Sequence, residues 1–210
     1  MPGNVVLAGV YASDLPTSFY NEVARIGTAA CDIETSGLDW SKDSIGACQV
    51  YIPGYAAAVV RPVIADRPSN LIRVLENQHI RKIFHHAMFD LRFLVNTWKC
   101  DPCNISCTKI AAKILWPQSG QTHSLKALLR DILDIEISKD LQTSDWTTMS
   151  LSPKQLEYAL SDVTYLPSLL DHLMEKLNDC GRGYLASKCF EHIPARVKLD
   201  LLGCGDVFAY

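Results

Sequence analysis

The sequence predicts an α/β fold built on a mixed sheet, and three observations carry that prediction. Strand-like apolar runs joined by short turns occupy the first sixty residues. A single short buried strand at 81–84 is then expected between helical stretches, and beyond it the apolar spacing is helical. Strands first, then one strand among helices, then helices is the order of a layered α/β domain with parallel and antiparallel pairs in one sheet.

Each element has a local reason. Residues 5–10 form a short apolar strand, after which Ser13-Asp14 offers a cap for a helix running to about residue 25. Residues 28–34 are a second strand, ended by the turn Thr35-Ser36-Gly37-Leu38. Residues 47–52 and 56–60 are two more, separated by the turn signal Pro53-Gly54. Three strands joined by short turns read as an antiparallel meander. Ser69 begins a helix ending near residue 77, and a helix at 87–96 follows the strand at 81–84. Helices at 108–115, 124–133 and 152–166 complete the pattern. The last starts with Ser152, Pro153 at the first helical position and Gln155 closing a capping box. Pro167 should kink that helix or divide it from one running to about residue 177. With no repeat, low-complexity tract or linker, a single domain over 1–210 is expected.

Composition narrows the class. The 210 residues are 48% hydrophobic and 20% charged, ordinary for a soluble globular protein with one substantial core. No apolar stretch is long enough for a membrane span, and no basic segment leads an apolar one at the N-terminus. A cytoplasmic protein is the expectation. The eight cysteines therefore read as reduced thiols. Cys100-x2-Cys103-x3-Cys107 has zinc-like spacing but lacks a second paired knuckle. The net charge of -3 conceals an asymmetry. Between residues 71 and 130 lie Arg73, Arg81, Lys82, Arg92, Lys99, Lys109, Lys113, Lys126 and Arg130, against only Glu76, Asp90 and Asp101. From Asp131 to Glu175 acids dominate, as suits a basic track leading to an acidic pocket.

Four carboxylates and one tyrosine point to chemistry. Asp32 and Glu34 are two apart on a strand, so both face one side. Tyr158 and Asp162 are four apart on a helix and share a face. Asp90 sits in His85-His86-Ala87-Met88-Phe89-Asp90-Leu91, on another helix. Each acid lies within or beside an apolar run, where a carboxylate needs a positive partner. Acids from three elements converging on one place would suit a pair of hard divalent cations and phosphoryl chemistry. The tyrosine would sit beside the attacking water.

The segments Gln142-Thr143-Ser144-Asp145-Trp146 and Tyr158-Ala159-Leu160-Ser161-Asp162-Val163, with the two earlier acid motifs in order, resemble the DEDD superfamily of 3′–5′ exonucleases. The similarity is to its tyrosine-containing branch, ribonuclease D above all. The resemblance implies an RNase H-like fold, a mixed five-stranded sheet flanked by helices. It also implies hydrolysis of RNA from the 3′ end, with release of nucleoside 5′-monophosphates, in trimming of structured RNA such as tRNA. Two Mg²⁺ or Mn²⁺ ions are implied, and no small-molecule cofactor. Asp32 would bridge both metals, Glu34 and Asp162 would hold the one that activates water, Asp90 would serve the other, and Tyr158 would position the nucleophile. Thr35, Leu38, His86 and Phe89 occupy the places that meet the terminal nucleotide. Longer ribonuclease D proteins have Asp-Thr where this chain has Cys107-Thr108, and carry helical domains for which residues 176–210 are too few. A bare catalytic domain is expected. Two other readings stand beside this one: a DNA-directed exonuclease of the Werner or proofreading type, and an inactive nucleic-acid-binding scaffold.

Overall fold

The computed structural model describes residues 5–62, 66–117, 123–138 and 140–209. Six strands form one mixed sheet in the order β1-β4-β3-β2-β5-β6. β2 (Thr28–Thr35), β3 (Ile45–Ile52) and β4 (Ala56–Arg61) are the antiparallel meander the turns predict. At its β3–β4 corner Gly54 takes φ 72°, a left-handed conformation that suits glycine. β1 (Leu7–Ala12) adds parallel to β4, and β5 (Arg81–Phe84) adds parallel to β2 on the other side. The sixth strand, β6 (Ile105–Cys107), corrects the five-stranded expectation. Its three residues are too few to carry a periodicity.

The helices follow the sequence reading with two exceptions. α1 (Thr17–Ile26) starts after Pro16 rather than at Ser13-Asp14. Asp14 caps a different helix: its carboxylate accepts the Asn70 and Leu71 N–H groups at the start of α2 (Ser69–Glu76). α3 (Ala87–Trp98), α4 (Thr108–Leu115) and α5 (Leu125–Leu133) fall where expected. α6 (Pro153–Thr164) has the complete capping box, and the chain breaks at Tyr165 before α7 (Leu166–Asp179), with Pro167 in its first turn. The second exception is α8 (Gly183–Leu201), a 19-residue helix that contains Pro194. None of the described helices is long and apolar enough to cross a membrane.

The two faces of the sheet have different tasks. Cys31, Ile33, Cys48, Val50 and Ile52 point into the main apolar core. Their alternates, Asp32, Glu34, Ala47 and Gln49, face the side covered by α6, where Trp146, Tyr158 and Ala159 form a second small cluster. The candidate site lies on that second face.

Candidate metal and nuclease site

β2 positions the first two acids. Asp32 and Glu34 share a face near its C-terminal end, and α6 lays Asp162 over them. One carboxylate oxygen from each of Asp32, Glu34 and Asp162 lies within 4.8 Å of the others. Glu34 is buried and the other two are half-buried. Asp90 comes from the first turn of α3. β5 ends at Phe84, so Ile33 is left without a parallel strand neighbour, and its N–H donates to Asp90 Oδ1 at 3.2 Å. Asp90 is 2% exposed and stands beside the three-acid cluster rather than in it.

This arrangement strains the charges. Burial, then repulsion from Asp90, Glu34 and Asp162, holds the Asp32 carboxyl far above its ordinary range. Glu34 is pushed up to about 9 by burial and by Asp162 and Asp90. Asp90 rises to about 7 through burial, restrained by backbone N–H groups including that of Ile33. Crowded hard oxygen donors that resist ionisation on their own fit a divalent cation. Divalent Mg²⁺ or Mn²⁺ would be held first by Asp32, Glu34 and Asp162.

Tyr158 stands on the face of α6 with Asp162 and hydrogen-bonds to it. Burial and the surrounding acids raise its pKa, so the side chain is a neutral phenol. Its support explains the segment around Trp146. The Trp146 ring lies 5.8 Å from that of Tyr158, centroid to centroid. Gln155 Nε2 donates to Ser144 Oγ and the Asp145 carbonyl, while the Arg61 guanidinium donates to the Gly46, Trp146 and Thr148 carbonyls. A bulge in β3 near Gly46 admits the segment: a Cβ there would collide with the Trp146 carbonyl. Sequence reasoning missed Arg61 in this role, because a charged residue at a strand end gives no sign of what it ties down.

The four predicted pocket residues lie at one end of the sheet. Thr35 ends β2 and Leu38 follows it, while His86 and Phe89 follow the parallel β5. The His86 and Phe89 rings are stacked at 6.2 Å, and Leu38 is 84% exposed. Partial loss of hydration, then Lys109, Arg92 and Lys113, lowers the His86 imidazole to about 4. Part of the basic track therefore borders this end of the sheet. Cys100, Cys103 and Cys107 hold no metal cluster among the described residues: their thiols donate separately to the Leu94, Glu76 and His85 carbonyls. All eight cysteines are free. A groove of about 1130 Å³ opens at the N-terminal end of β5 and β6, beside Arg81 and Ile105, and contains none of the four acids.

A mixed sheet carrying this acid cluster defines a class, and the comparisons agree with it. A family model described as 3'-5' exonuclease matches residues 7–178, and the chain belongs to that family. Among solved structures it is similar to Brucella melitensis NrnC bound to pGG, at 35% identity and a TM-score of 0.90. That match covers 99% of this chain and 100% of that one. The same protein has been solved with bound Mg²⁺. Ribonuclease D of Zymomonas mobilis is 33% identical over 110 residues, 52% of this chain and 28% of that protein. The chain thus spans less than half the length of the ribonuclease D relatives it matches. Escherichia coli RNase D, at 23% identity and a TM-score of 0.76, shares the fold.

Proposed function

We propose that this chain is a metal-dependent 3′–5′ exoribonuclease that hydrolyses the terminal phosphodiester of RNA and releases nucleoside 5′-monophosphates. One observation carries the reading: Asp32, Glu34 and Asp162 offer oxygens within 4.8 Å of one another, with Tyr158 hydrogen-bonded to Asp162. Two Mg²⁺ or Mn²⁺ ions there would make water more acidic and neutralise charge developing on the phosphate. Asp32 would serve both ions, Glu34 and Asp162 would hold the one that activates water, and Asp90 would serve the other. Tyr158, as a neutral phenol, orients the attacking water by hydrogen bonding rather than by taking its proton. Thr35 and Leu38 meet the terminal nucleotide from one side, His86 and Phe89 from the other. Neutral at physiological pH, His86 serves as a ring and hydrogen-bonding group. The relation to NrnC, solved with pGG and with Mg²⁺, and to ribonuclease D supports RNA as the substrate. On this reading the enzyme works in the cytoplasm, as one domain, on the 3′ ends of structured RNAs such as tRNA.

The test is a matched set of single-stranded RNA, duplex RNA and DNA, each labelled at the 5′ end and incubated with Mg²⁺ or Mn²⁺. Single-stranded RNA should yield a ladder of products shortened stepwise from the 3′ end, and a 3′-phosphate should slow it. Faster loss of DNA than of RNA would shift the assignment to a DNA-directed exonuclease. Internal cleavage of circular RNA would remove the terminal-nucleotide pocket from the mechanism.

A further inference from the structure

A buried glutamine beside the acid cluster has no partner for either end of its amide. Gln49 lies on β3 directly opposite Asp32 on the antiparallel β2, so the two side chains leave the same face of the sheet. It is 0% exposed, and neither Nε2 nor Oε1 has a hydrogen-bond partner among the described residues. Its sheet neighbours on that face are Ala30, Asp32 and Glu34 on β2, Ala47 and Tyr51 on its own strand and Val59 on β4. The polar ones are Asp32, Glu34 and Tyr51, and the Tyr51 hydroxyl accepts the Gly54 N–H at the β3–β4 corner. Arg61, at the end of β4, is committed to three backbone carbonyls. An apolar side chain of similar volume would fill this place without stranding a donor and an acceptor, and buried amides are seldom left unpaired.

We infer that Gln49 is a positioning residue of the metal centre, its amide N–H₂ supporting the Asp32 carboxylate in the ionised state that holds a cation. The inference rests on the function proposed above. A carboxylate that holds a cation keeps lone pairs free to accept from a donor, and the amide opposite it on β3 is placed to be that donor. A neutral amide supplies one without a positive charge that would compete with the cation, as lysine or arginine in this position would. Groups that hydrogen-bond ligating carboxylates in this way fix ligand orientation, and their loss costs about 10–100-fold in metal affinity or activity.

The test compares wild type with Gln49→Leu, the unbranched Gln49→Met, and Gln49→Asn. Three readouts are needed: melting temperature in EDTA, the Mn²⁺ concentration giving half the metal-induced rise in melting temperature, and kcat and KM on 5′-labelled RNA. The Leu and Met proteins should melt in EDTA at or above the wild-type temperature. They should need about tenfold or more Mn²⁺ and lose about 10–100-fold in kcat, with KM within about threefold. Gln49→Asn, which keeps the donor on a shorter stem, should recover part of the loss. Half-saturating Mn²⁺ and kcat within about twofold of wild type in the Leu or the Met protein would overturn the inference. So would a lower melting temperature in EDTA with unchanged Mn²⁺ response, since that is packing alone. If wild type binds Mn²⁺ but cleaves no RNA, the proposed function falls, while the Mn²⁺ titration still decides the role of Gln49.

Discussion

Replacing Asp32 by Asn should make the metal-free protein more stable while abolishing its activity. Asn keeps the shape and most of the hydrogen-bonding capacity of Asp and removes one charge from a cluster whose oxygens lie within 4.8 Å of one another. Two unit charges at that spacing repel by ~3.5 kcal/mol at an effective dielectric constant near 20. Glu34 and Asp162 together would give ~7 kcal/mol at that spacing, with Asp90 adding to it. Proton uptake relieves much of this, because Glu34 at about 9 is already largely neutral at pH 8. A residual gain of about 1–3 kcal/mol is expected, which for a chain of this size is about 2–12 °C in melting temperature. The assay is thermal unfolding of both proteins at pH 8, in EDTA and in Mg²⁺, beside RNA degradation. Wild type should rise on adding Mg²⁺ and the variant should respond far less, because binding to the native state alone stabilises it. A variant no more stable than wild type in EDTA, or one keeping the full Mg²⁺ response, would refute the view of these acids as a strained metal site.

Three further outcomes follow from the same geometry. Tyr158→Phe should lower kcat by roughly 10²-fold, the scale for a misplaced reacting group, while leaving the Mg²⁺-induced rise in melting temperature intact; an unchanged rate in a folded variant would make Tyr158 packing only. In EDTA the wild-type melting temperature should fall as pH rises from about 6 to 9. Asp90 and Glu34 hold protons in the folded state up to about 7 and about 9, above their ordinary 3.8 and 4.5, so the stability they add is complete below those ordinary values, falls as pH rises beyond them, and is still being lost between 6 and 9. A flat melting curve across that range in EDTA would contradict it, and saturating Mg²⁺ should flatten the curve by supplying positive charge. Neutralising Lys109 and Lys113 together should reduce the salt dependence of RNA binding, measured with the Asp32→Asn protein, by about 1.4 in log–log slope if each touches a phosphate; an identical slope would place both on an uninvolved face.

What the sequence makes legible here is what depends on short-range periodicity. Asp32 and Glu34 share a face because strands alternate, and Tyr158 and Asp162 share one because four residues is about a helical turn. The Ser152–Gln155 box and the Pro53-Gly54 corner are local as well. The features that escaped all depend on contacts distant in the chain. β6 is three residues whose strand character comes from pairing with β5. Ser13-Asp14 looks like a cap for the next helix, but Pro16 resets the start and leaves Asp14 to serve α2, more than fifty residues on. Asp90 takes the Ile33 N–H only because β5 stops short. Gln49 meets Asp32 only through a register that a bulge two residues away could have shifted. Its one local sign, a polar residue inside the apolar run 47–52, is too common to be read alone.

The distribution of charge around the site has a physical logic. Cations within the acid cluster would relieve its repulsion permanently and weaken any drive to bind metal, and the chief electrostatic neighbours of Asp32 and Glu34 are other acids. Lys109, Arg92 and Lys113 act instead on His86, the residue before α3. Burial first, and these cations second, keep the imidazole uncharged. The acids thus stay crowded against one another, while among the cations Arg92 is already engaged, pairing with Asp200 and donating to the Met88 carbonyl. Folding pays for that arrangement in lost stability at neutral pH, and the buried Trp146, anchored by Arg61 and Gln155, is what holds α6 over the sheet against it.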